Sequence, residues 1–272
     1  MRASGAGLGC PDWPRCFGGW IPPASAAVLP PQFDPVLFNP TLMWTEYVNR
    51  LLGVTVGLLI LATTISAWRH HRREPRILWT TVAAFLLVGF EGWLGGRVVA
   101  HGLTPWIVTA HLMVALVIVQ LLLYATYTSG ALSASGALGT SGGTTAIAIL
   151  TGVTLLQIGL GTQVRERVEH ALDSGVARDI ALGTVGRLDF LHRDLALIVL
   201  GAAMLLSLWL WSRRSSLLGW SLIVLALAFL QVALGLFMAY GSLLPAAQVG
   251  HLILASLLLG AETVLWLMSR QR

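Results

Sequence analysis

A chain of 272 residues in which 56% are hydrophobic and only 11% charged has too few polar side chains to cover a water-soluble surface, since soluble globular proteins carry roughly 25% charged residues. A mean hydropathy of +0.77 agrees with that exclusion. The net charge of +5 does not indicate nucleic acid, because the basic residues gather at the ends of apolar runs, where lipid headgroups and topology account for them.

The first 40 residues are rich in Gly and Pro and contain neither an apolar helix nor a secretory signal. They hold both cysteines, Cys10 and Cys16, separated by Pro11-Asp12-Trp13-Pro14-Arg15. Seven apolar runs follow, at residues 44–67, 77–97, 106–127, 145–164, 190–211, 217–239 and 245–268. Runs of about 18 apolar residues or more are read as membrane-spanning helices. Their continuity, without alternation, excludes a closed barrel. The expected class is all-α transmembrane.

Orientation follows from the charges. The basic stretch from Arg69 to Arg76, the pair Arg213 and Arg214, and Arg270 with Arg272 fall on one side if each run crosses once. The positive-inside rule assigns that side to the cytoplasm. Residues 1–43 are then extracytoplasmic and the C-terminus cytoplasmic, in a multi-pass protein of the plasma membrane. An even pair of cysteines on the oxidising side favours a Cys10–Cys16 disulfide over two separate thiols. A metal site is not expected there, since that segment has no other Cys or His.

The runs are duplicated. Leu94, Gly95, Leu103, Pro105, His111, Leu112 and Ala115 recur as Leu234, Gly235, Leu243, Pro245, His251, Leu252 and Ala255. Glu46-Tyr47-Val48-Asn49-Arg50 matches Asp189-Phe190-Leu191-His192-Arg193. A third element has an acid or amide one helical turn before a glycine: Glu91 and Gly95, Gln157 and Gly161, Gln231 and Gly235. That spacing puts both residues on one helix face, where small and polar groups promote helix packing.

Two pseudo-symmetric four-helix bundles are thus expected, with seven of the helices in this chain. Residues 1–127 form the first half, 128–144 a cytoplasmic linker and 145–272 the second half. Arg2 aligns with Arg165, which leaves the first helix of the first bundle without a counterpart in these 272 residues.

Seven histidines sort by position. His70 and His71 lie in the basic cytoplasmic loop, and His101 and His170 in outward loops. His111, His192 and His251 lie within apolar helices near their outer ends, where an ionisable side chain marks a functional site. A buried imidazole can merely hydrogen-bond to a neighbouring helix. Three at repeat-related positions point instead to haem iron ligation, with His192 and His251 expected on adjacent antiparallel helices, gripping one iron from opposite faces. Zinc is disfavoured, because no third ligand is evident in the second half.

Arg50 and Arg193 follow the ligand positions. They could pair with haem propionates or anchor the helix at the interface. Glu46 and Glu91 are candidate proton carriers; Glu46, beside the haem-site position, is the stronger one.

The segment Gly5-Ala6-Gly7-Leu8-Gly9-Cys10-Pro11-Asp12-Trp13-Pro14-Arg15-Cys16, followed by Ile21-Pro22-Pro23, resembles the first external loop of the haem A synthase family. Glu46-Tyr47-Val48-Asn49-Arg50 resembles its Glu-x-x-His-Arg element, and the membrane histidines fall where its other haem ligands do. The resemblance covers essentially the whole chain.

It implies an oxidoreductase that converts a methyl substituent of haem O to the formyl group of haem A, for cytochrome oxidase assembly. It implies a cofactor haem b held by His192 and His251 with Arg193 nearby. It implies substrate haem held by His111, near Asn49 and Arg50, with Glu46 as the catalytic residue and Cys10 and Cys16 as the external pair. Asn49 departs from the pattern, since an amide is a poor iron ligand beside imidazole.

Expected partners are haem O, membrane lipid, a haem O synthase, an electron donor and a second copy of the chain, with no nucleic acid. Two rivals remain: a non-enzymatic b-type cytochrome with a degenerate first site, and a duplicated small-molecule transporter.

Overall fold

A computed structural model describes residues 6–131 and 141–270. Arg2, Gly5 and most of the 128–144 linker lie outside those residues. Among the described residues there are seven long α-helices and no strand. They are α1 Pro40–His70, α2 Pro75–Ala100, α3 Pro105–Thr128, α4 Ser141–Asp173, α5 Arg187–Ser212, α6 Leu218–Tyr240 and α7 Pro245–Ser269. Each is long and apolar enough to cross a membrane. The all-α transmembrane class stands.

Local chemistry explains where the helices start. Four of them begin on proline: Pro40, Pro75, Pro105 and Pro245. Proline suits the first helical position because its missing N–H would have no intrahelical partner there. Asn39 caps α1, its side chain accepting from Leu42 N at 3.2 Å. At α1 these signals extend the helix four residues before the apolar run that predicted it.

The far end of α4 departs more. The predicted run stops at residue 164, but the helix continues to Asp173 and takes His170 out of the loop assigned to it. Val164, Val168 and Ala171 recur at helical spacing and bury with Ala181, Val185 and Leu243. An apolar stripe sustains this extension although Arg165, Glu166, Arg167 and Glu169 make it too polar for a hydropathy window.

The chain divides into two compact units, Met1–Ala125 and Thr126–Arg272. In the second, α4 packs on α5, α5 on α6, α6 on α7, and α7 back on α4. That closed ring leaves α5 and α7 on a diagonal, and the alternation of the chain makes them parallel. Thr154 of α4 donates to Glu262 Oε1 of α7 at 2.8 Å. Thr144 donates to the Ser269 carbonyl at 3.1 Å, and Ser207 of α5 to the Ser221 carbonyl of α6 at 3.1 Å.

In the first unit α1 packs on α2, and Ile60, Ala84 and Ile118 bring α1, α2 and α3 into one apolar cluster. Thr64 of α1 donates to the Thr81 carbonyl of α2 at 3.0 Å. The segment before α1 has its own small core of Cys10, Cys16, Phe17 and Met43, flanked by Leu29, Phe33 and Phe38.

Glu262 is fully buried, and Thr154 is the hydrogen-bond partner of its carboxyl group. Thr154→Val keeps the shape but leaves that group unsatisfied, at an expected cost of about 1–3 kcal/mol. Thermal unfolding in detergent measures it: a lowered Tm is expected, and an unchanged one would show the bond to be dispensable.

Candidate functional site

The N-terminal end of α1 is organised around Glu46, which is 2% exposed. Glu46 Oε2 accepts from the backbone N–H of Cys10 at 2.9 Å, and its Oε1 pairs with Arg50 one turn on. Arg50 Nη1 in turn donates to the carbonyls of Asp12 at 2.9 Å, Arg15 at 2.8 Å and Pro14 at 3.4 Å. The acid and the base four residues apart therefore both hold the same segment.

That segment is closed by the Cys10–Cys16 disulfide. Asp12 tightens it further, accepting from the backbone of Phe17 at 2.6 Å and Gly18 at 2.8 Å. Phe17 and Gly18 both have positive φ, 52° and 78°, and glycine takes that conformation without a side-chain penalty.

The loop lies directly on the helices. A methyl group at Gly9 would stand 2.4 Å from the Leu42 backbone carbonyl, and one at Gly96 of α2 would stand 2.8 Å from Trp13 Cδ2. Glycine at both positions permits the close approach.

The three membrane histidines share a seat. A methyl group at Gly95 would lie 3.5 Å from His111 Cε1, and one at Gly235 would lie 3.5 Å from His251 Cε1. At Gly161 the corresponding distance to His192 Cε1 is 3.0 Å. Each imidazole is thus backed by a glycine of the preceding helix, one turn after Glu91, Gln231 or Gln157. Gln157 Nε2 also donates to the His192 carbonyl at 2.8 Å, tying α4 to α5.

His192 and His251 lie at the same end of the second four-helix ring. They do so from the diagonal helices α5 and α7, which corrects the expectation of adjacent antiparallel helices. Two positions separated by one intervening helix must run parallel. Both imidazoles sit within the first two turns of their helices, at the same end of the bundle.

The Nδ1 atoms of His192 and His251 are buried and have no hydrogen-bond partner among the described residues. Buried imidazole nitrogens without a partner at one end of a four-helix ring suit a group that takes nitrogen ligands and fills the gap between helices, as haem does. At the rim Arg193 pairs with Asp189, donates to Tyr240 Oη at 3.2 Å and lies over the Phe190 and Tyr240 rings.

In the first unit His111 Nδ1 stands 2.6 Å from Glu91 Oε2, while Asn49, in the position matching His192, is exposed on α1. The other histidines are exposed or hold local contacts. His70 Nδ1 is 3.0 Å from the Ser66 carbonyl, His71 is 2.8 Å from Glu74, and His101 Nε2 is 2.9 Å from Arg97. His170 lies exposed on α4.

Two features escaped the sequence reading. Glu262 is an acid deep in an apolar helix, and its depth alone was a usable signal. The grip of Arg50 on the loop carbonyls had none, because backbone acceptors leave no mark in the sequence.

Seven spans, a disulfide-closed loop and glycine-backed imidazoles define a multi-pass helical membrane protein. The chain belongs to the COX15-CtaA family, described as cytochrome oxidase assembly protein, which matches residues 1–263. It is similar to a haem A synthase of Shewanella oneidensis, 32% identical over 128 residues, covering 45% of this chain and 37% of that protein. It is also similar to haem A synthases of Geobacillus kaustophilus, 33% identical over 41% of this chain and 30% of the relative, and of Shouchella clausii, 30% identical over 40% and 32%. The chain therefore spans well under two thirds of each of these relatives. No solved structure matches it significantly.

Glu46→Ala would remove the acceptor of Cys10 N–H and the partner of Arg50. Losing buried hydrogen bonds to a charged group costs about 1.5–3 kcal/mol, so hydrogen exchange at residues 10–18 should accelerate by roughly ten- to a hundredfold. Unchanged exchange would mean that Glu46 does not hold the loop.

Proposed function

We propose that this chain acts as a haem A synthase, oxidising the methyl substituent of haem O to the formyl group of haem A for cytochrome oxidase assembly. The observation that carries the reading is the repeated imidazole seat at His111, His192 and His251, within a family match over residues 1–263. The names of the similar proteins in Shewanella, Geobacillus and Shouchella support it.

Residues 145–272 form the half that would hold a cofactor haem b, with His192 and His251 supplying nitrogen to its iron and Arg193 beside its propionates. Residues 1–127 form the substrate half, with 128–144 as the cytoplasmic linker. There His111 would supply nitrogen to the iron of haem O, and Asn49 contributes no imidazole. Iron, when bound, supplies the redox chemistry. Glu46, in the first two turns of α1, is the catalytic residue of this reading, and Arg50 fixes its carboxylate and the loop together. The Cys10–Cys16 disulfide keeps the loop seated over this end; a redox role for it is a separate matter.

The basic helix ends support an orientation with residues 1–43 outside the plasma membrane and the C-terminus in the cytoplasm. The reaction then draws on a haem O synthase for substrate, an electron donor, and surrounding lipid; a second copy of the chain is a candidate neighbour.

The test is extraction and mass identification of the haem after coexpression with a haem O source. Formyl or hydroxymethyl haem is the expected product. Haem B alone would point to a non-enzymatic cytochrome, and no haem would overturn both readings. His192→Ala or His251→Ala should each abolish the six-coordinate b-type spectrum, and its survival in both would refute the ligand pair.

A further inference from the structure

The two repeats carry matching glycine-backed histidine seats that differ in the polar residue one turn before the glycine. Gly95 and Gly235 back His111 and His251 at the same 3.5 Å separation. One turn earlier the first repeat has Glu91 and the second has Gln231. Glu91 is 7% exposed and its Oε2 stands 2.6 Å from His111 Nδ1. Neither Glu91 oxygen nor His111 Nδ1 makes an aligned hydrogen bond among the described residues, so this close contact is what brings the acid and the imidazole together. In the second repeat, Gln231 Oε1 and His251 Nδ1 are both without a hydrogen-bond partner.

We propose that Glu91 is a positioning residue that raises the electron-donating power of His111 toward a haem iron and makes the first site chemically unlike the second. The inference rests on the proposed function for the presence of a haem at His111. A carboxylate against Nδ1 fixes the tautomer in which Nδ1 carries the proton and leaves Nε2 for the metal. It also draws that proton toward itself, which raises the basicity of Nε2. A more basic ligand favours ferric over ferrous iron. The neutral amide of Gln231 lacks the charge to do this, so the His192–His251 site is left with the higher potential suited to passing electrons. Glu91 in place of a glutamine thus adds to Asn49 in place of a second imidazole in separating a site for oxidation from a site for electron transfer. A carboxylate that served only to hold α2 against α3 would leave the iron's properties untouched.

The test uses the full-length chain loaded with haem, read by spectroelectrochemistry and by the resonance Raman iron–histidine stretch. In Glu91→Gln the haem at His111 should move to higher midpoint potential and its stretch to lower frequency, with the His192–His251 haem unmoved. Glu91→Asp should recover part of both shifts. The reciprocal Gln231→Glu should lower the potential of the haem at His251. Should Glu91→Gln fail to load haem, Gln231→Glu decides alone. Potentials and stretch that stay at wild-type values in loaded protein would overturn the role of Glu91 and leave the proposed function intact. Wild-type protein that holds haem at His192 and His251 but none at His111 would overturn the proposed function, and this role with it.

Discussion

An ionisable side chain inside hydrocarbon must find a partner, because unpaired charge or an unsatisfied polar atom there costs several kcal/mol. Four acids in this chain are nearly fully buried, and each has one: Glu46 has Arg50 and the Cys10 N–H, Glu91 has His111, Asp189 has Arg193, and Glu262 has Thr154. These pairings do more than neutralise. The first ties α1 to the disulfide loop, the second ties α2 to α3, and the fourth ties α4 to α7. The third holds Arg193 at the rim of α5. Lipid offers no hydrophobic drive for helices to associate, so such polar pairs and close glycine contacts carry much of the packing specificity.

Much of this was legible in the sequence, and the reasons differ by level. Spans were legible because hydrocarbon thickness imposes length and apolarity on them together. The duplication was legible because His111, Gly95 and Pro105 recur as His251, Gly235 and Pro245 at a fixed offset. The extension of α4 was not, since Val164, Val168 and Ala171 bury one stripe of a segment whose other face is charged, and a hydropathy average erases that stripe. The relation of His192 to His251 was misread for a topological reason. Equivalent depth is visible in a sequence, but which helices become neighbours depends on how the four-helix ring closes.

Glu262 shows the converse limit. Its depth marked it, yet it belongs to none of the repeated elements that drew attention to other residues, and its partner Thr154 lies far away in the chain. Contacts between a side chain and a distant hydroxyl or carbonyl leave no periodic trace. The grip of Arg50 on the carbonyls of Asp12, Pro14 and Arg15 is of the same kind.

Arg50 and Arg193 also distinguish the two units at the N-terminal ends of α1 and α5. Both repeats keep an acid and an arginine one turn apart, Glu46 with Arg50 and Asp189 with Arg193. The third partner differs. Arg193 reaches the Tyr240 hydroxyl and lies over the Phe190 and Tyr240 rings. Arg50 has its donors on three loop carbonyls and on Glu46, so it acts first as the clamp that seats the disulfide loop. An anionic edge arriving at the first unit would compete with backbone acceptors already in place. The same acid–arginine pair therefore clamps a loop in the first unit and meets aromatic side chains in the second, a divergence that accompanies Glu91 in one repeat and Gln231 in the other.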